Sequence, residues 1–90
     1  MTFILTFYWF KEFESGKKKA EFRRANDYWK KTLAKLNSGD SVLLRKGYSH
    51  TYIKRIVDSV ETVEGWELPE AERKFFNAAN DELFIKVLFK

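Results

Sequence analysis

Ser41-Val42-Leu43-Leu44-Arg45-Lys46-Gly47-Tyr48-Ser49-His50-Thr51-Tyr52, continuing to Glu61, is the stretch on which the fold turns. Two strand-like runs, residues 41–46 and 52–61, flank the polar tip Gly47-Tyr48-Ser49-His50, the pattern of a β-hairpin. Upstream, Asn26 or Asp27 can cap an amphipathic helix whose Trp29, Leu33 and Leu36 share a face, and Asn37-Ser38-Gly39-Asp40 ends it. Asp40 is expected to hydrogen-bond nearby backbone amides of that turn. Further upstream, residues 18–24 read as a strand with Ala20 and Phe22 on one face and Lys19, Glu21 and Arg23 on the other. Before it, Phe10 and Phe13 fit a short helix closed by Gly16. Residues 3–9 are apolar without alternation, as a central strand covered on both faces would be.

Downstream, Pro69 with Glu70 and Glu72 opens a helix over residues 70–79, its early acids complementing the helix dipole. Leu83, Ile85, Val87 and Phe89 then alternate along a closing strand with one fully apolar face. The order strand, short helix, strand, helix, hairpin, helix, strand makes an α+β domain spanning residues 1–90. Five mostly antiparallel strands with two to three flanking helices are expected to curl into a small β-barrel, because closure removes exposed sheet edges.

The 90 residues support a single core, and 44% hydrophobic with 18% aromatic content argues against disorder. The chain has no cysteine, which excludes disulfides, thiol catalysis and cysteine-based metal sites. The apolar run near Thr2 is far shorter than the roughly 20 residues of a membrane span, so a cytoplasmic protein with no membrane attachment is expected, as a monomer. Charge is uneven: residues 11–55 hold thirteen basic and five acidic side chains, residues 56–90 four basic and eight acidic. Clustered lysine and arginine favour a polyanion such as nucleic acid, through counterion release.

The densest chemistry lies in Ser15-Gly16-Lys17-Lys18-Lys19-Ala20-Glu21-Phe22-Arg23. Glu21 can accept from a base amino or imino group, Arg23 can donate bidentately, and Lys18 can hold a phosphate or polarise a carbonyl. The same spacing also suits a surface ion-pair ladder worth under about 1 kcal/mol per pair. At the hairpin tip, Arg45, Tyr48 and His50 interleave charge with an aromatic face suited to base stacking. His50 is the sole histidine and has no partner for a zinc site. Glu61, Glu64, Glu67 and Glu70 read as a solvated acidic rim, so no metal or other cofactor is expected. Trp9 and Trp29 fit core-facing positions, whereas Trp66 sits among acids where it can cover a cleft.

Gly16-Lys17-Lys18 with Glu21-x-Arg23, a helix, then Gly39-Asp40-Ser41-Val42-Leu43-Leu44 with Arg45 and Gly47, resembles the ASCH domains of the PUA-like superfamily. The resemblance implies a PUA-like barrel whose basic cleft receives RNA, a nucleotide or a modified nucleobase. In that arrangement Lys18, Glu21 and Arg23 line the floor, Lys17, Lys19 and Arg24 the phosphate-facing rim, and Arg45, Tyr48 and His50 the hairpin edge. Some ASCH relatives are amidohydrolases acting on acylated cytidine, using a Lys, a Thr nucleophile on the second strand and a downstream Glu; others are described as ribonucleases. Lys18 matches that lysine, but Glu21 stands at the Thr position and Lys19 replaces the commoner Thr after the second Lys. A carboxylate does not replace an activated hydroxyl in acyl transfer, so a catalytic version would use Lys18 with Glu21 as general base. A protein-interaction module docking through the acidic half is the remaining alternative.

Overall fold

The computed structural model describes residues 1–90, with strands β1 (Thr2–Leu5), β2 (Ala20–Arg24), β3 (Ser41–Lys46), β4 (Tyr52–Glu64) and β5 (Leu83–Phe89). Helix α1 spans Phe7–Glu14, α2 Asp27–Leu33 and α3 Glu70–Phe76, with a 3-10 turn at Gly65–Glu67. The strands form one mixed sheet in the order β1-β3-β4-β5-β2. β1 runs parallel to β3, and the other three pairings are antiparallel.

The sheet is open, which corrects the expectation of a closed barrel. β1 and β2 are its two ends, each hydrogen-bonded to one neighbour only. Side chains bridge the seam instead: the Arg23 guanidinium of β2 lies 4.8 Å from the Phe3 ring centroid of β1. Strand β4 is the spine, pairing with β3 through its first half and with β5 through its second, with a register shift between Val57 and Ser59. Such an irregularity bends and twists a strand, which lets β4 serve both halves of the sheet.

β1 is a terminal strand, not a central one, and it stops at Leu5 because Thr6 turns the chain into α1. The Thr6 hydroxyl accepts from the Trp9 amide and caps the helix. Phe10 and Phe13 then face the core from α1, and Gly16 follows with φ of +81°, a conformation that glycine adopts without a Cβ penalty. Asn26 caps α2, its side chain accepting from the Trp29 amide at 2.9 Å. Asp40 accepts from the Asn37 amide at 2.8 Å.

Two apolar clusters hold the domain. The larger joins Phe3, Leu5, Phe10, Phe13, Leu33 and residues of β3, β4 and β5; the smaller joins Phe22, Val63, Leu68 and Phe84. Phe84 and Ile85 are adjacent in β5 and both buried, so here both faces of the sheet are covered. The single apolar face expected for β5 becomes two for that reason, while Leu83 at its start is exposed.

Candidate functional site

Lys18, just before β2, and Glu21 and Arg23, on it, converge with Glu72 of α3. The Lys18 ammonium donates to Glu72 Oε1 at 2.8 Å and stands 3.6 Å from Glu21 Oε1. Arg23 Nη1 donates to Glu21 Oε2 at 2.6 Å, and the Phe22 amide donates to Glu21 Oε1 at 3.3 Å. The result is a four-membered chain of alternating charge, Arg23–Glu21–Lys18–Glu72.

This chain lies largely beneath the surface: Glu21 is 4% exposed and Glu72 is 6%. The alternative of a solvated ion-pair ladder is therefore not what forms. Glu21 and Arg23 face Val87 and Ile85 across the β2–β5 ladder, and directly paired residues share a face, so both charged side chains lie on the side of the larger core. Aromatic rings wall in the cations. Lys18 Nζ lies 4.6 Å from the Trp9 centroid, 5.3 Å from Phe22 and 5.5 Å from Phe13. The Arg23 guanidinium stacks 4.8 Å from Phe3 and 5.1 Å from Trp29. Cation–π attraction gains strength where water is excluded, which offsets part of the desolvation of these charges.

Two neighbouring cavities share Trp9, Lys18 and Glu72 as common wall. One, of about 330 Å³, is lined by Lys17, Lys19 and Lys86 together with Glu12 and Glu67. The second, of about 240 Å³, opens at the β1–β2 seam against Glu21, Arg23, Leu5 and Phe75. The larger is near the lower end of small-molecule pocket sizes. Its lining has mixed charge, with four lysines against Glu12, Glu67 and Glu72.

Glu72 escaped the sequence reading, which assigned it only to the helix dipole. A signal was present: Glu72 stands one turn before Phe76 and four residues after Leu68, which puts a carboxylate in line with apolar side chains. Its Oε2 is buried without a hydrogen-bond donor in the protein, whereas both oxygens of Glu21 are engaged. The one buried side-chain polar atom of this network without a protein partner is thus on Glu72.

Other expected site residues lie elsewhere. Arg24 lines neither cavity, bonding the Glu82 carboxylate and the Phe76 carbonyl while lying over the Phe76 and Phe84 rings. Arg45 holds the hairpin tip, donating to the Ser49 carbonyl at 2.8 Å and the Tyr48 carbonyl at 3.0 Å. Tyr48 and His50 are exposed there, and none of these three residues lines either cavity. Trp66 is exposed and lines neither cavity, so it does not cover them. The four glutamates singled out in the sequence have separate roles. Glu61 lies 3.7 Å from Lys86, Glu64 and Glu67 cap the 3-10 turn, and Glu70 pairs with Lys74. No group of three His, Asp or Glu side chains is placed to hold a metal ion.

No helix is long and apolar enough to cross a membrane. No family model matches the chain, and neither a curated protein nor a solved structure matches it.

Proposed function

We propose that this chain is an ASCH-like domain of PUA-like type that binds RNA, taking a base into the cavities beneath Trp9 and phosphates on the lysine rim. The observation that carries the reading is the convergence of Lys18, Glu21, Arg23 and Glu72 into one buried chain of charge that lines the second cavity, Lys18 and Glu72 lining the first as well. Recognition of a planar polar group uses fixed donors and acceptors beside an aromatic wall. Arg23 and Lys18 provide the donors, Glu72 Oε2 the free acceptor, and Trp9 the wall. Lys17 and Lys19 are exposed at the mouth, where they can neutralise phosphates.

Titration with labelled single-stranded and hairpin RNA at about 50 mM and 200 mM salt tests the reading. Affinity is expected to fall as salt rises. Replacing Lys17 and Lys19 together by Ala should flatten the log–log salt slope by about 0.7 per lysine for single strands. Absent binding at low salt, or binding indifferent to salt, would overturn it. No Ser or Thr hydroxyl is hydrogen-bonded to Lys18, and Glu21, at the position of the family's nucleophile, is tied to Arg23; ligand binding is therefore better supported than acyl transfer.

A further inference from the structure

A shallow depression adjoins the cavities and shares Tyr8, Trp9 and Ala71 with the larger one; Thr6, Lys74 and Phe75 complete it. Three rings run across it. Tyr8 meets Trp9 edge-on at 4.8 Å between centroids, and Trp9 meets Phe75 edge-on at 5.6 Å. Edge-to-face contact leaves flat ring surface to meet a ligand, and Tyr8 is 59% and Phe75 55% exposed. Large apolar side chains exposed side by side mark interaction surfaces more often than isolated ones do. The lining contains one cation, Lys74, and no carboxylate. Lys74 is held only by Glu70 in an exposed pair one helical turn away, a contact that yields readily to a phosphate.

We infer that this depression is a stacking subsite for a second nucleotide, so that the ligand is a single-stranded segment of at least two nucleotides and not a free nucleoside. The inference rests on the RNA-binding reading and deepens it. With one base beneath Trp9, the neighbouring base lies across Tyr8 and Phe75 while Lys74 meets phosphate. Flat aromatic faces beside a cation suit bases, each of which has a π face to stack. Continuity with the cavity through Tyr8 and Trp9 places the two bases along one strand.

The test compares the four ribonucleoside 5′-monophosphates with the corresponding homodinucleotides by tryptophan fluorescence or calorimetry. A stacked second base should make the best dinucleotide about 5- to 150-fold tighter than its monophosphate. Tyr8→Ala and Phe75→Ala should each shrink that ratio, and Phe75→Trp should preserve it, with circular dichroism confirming the fold of each variant. A dinucleotide no tighter than its monophosphate, or a ratio unchanged in both alanine variants, would overturn the second subsite while leaving base binding in place. If none of the monophosphates or dinucleotides binds, both the subsite and the base-binding reading fall.

Discussion

Lys18 stands between two carboxylates under three aromatic rings, and its side chain and those of Glu21 and Glu72 are each less than a tenth exposed. Removing one partner of a buried ion pair leaves an uncompensated charge and typically costs about 3–5 kcal/mol. Lys18→Ala should therefore destabilise the domain by about that much, because the Glu72 carboxylate loses its only ionic partner. Replacing the pair with apolar residues of similar volume is often close to neutral. Lys18→Met combined with Glu72→Leu should accordingly cost less than Lys18→Ala alone. Urea denaturation of the single and double variants measures the coupling, and a Lys18→Ala loss below about 1 kcal/mol, the worth of an exposed pair, would show that the network holds little energy. Lys18, Glu21 and Arg23 were legible as a group from the sequence. Their burial was not, since it depends on Trp9, Phe22 and α3 arriving from distant parts of the chain.

At the scale of elements, the strands and helices were read with their types correct and several boundaries shifted. Residues 6–9 were read as strand because Thr, Phe, Tyr and Trp favour pleated surfaces, but the Thr6 cap and the burial of Phe10 and Phe13 decide for helix. β4 runs on to Glu64, past the expected strand end at Glu61, because β5 pairs with it up to Leu83. α3 ends at Phe76 because Asn77 adopts φ of +50°, a left-handed cap that asparagine tolerates. The 3-10 turn between β4 and α3 depends on Gly65, where an added Cβ would lie 2.0 Å from the Ala79 carbonyl oxygen. Gly65→Ala should thus force backbone apart and destabilise by about 1–3 kcal/mol. In a domain of this size each kcal/mol lowers Tm by about 4–8 °C, so thermal unfolding measures it. An unchanged Tm would mean that the segment around Ala79 moves aside freely.

Over the whole molecule, stability is concentrated in β4 and β5. β5 is hydrogen-bonded on both sides, to β4 and to β2, and three of its residues belong to the larger core cluster. β1 pairs on one side only, and α2 has seven residues, below the length at which a helix persists without packing. Native-state hydrogen exchange should therefore show the slowest amides in β5 and its partner segment of β4, with β1 and α2 opening first. Equal protection in β1 and β5 would contradict this ordering. The amino-acid sequence by itself determined the element types, the hairpin, the turns at Gly16 and Asp40 and the cluster of charge after the first glycine, because these follow from periodicity, capping and neighbouring side chains. Only the tertiary structure decided that the sheet stays open, that β1 lies at its end, that Glu72 completes the charged chain and that Arg24 and the hairpin tip stand apart from it. Pairing order and burial are set by contacts between residues far apart in the chain, and local pattern carries no record of which distant surface will cover a given side chain.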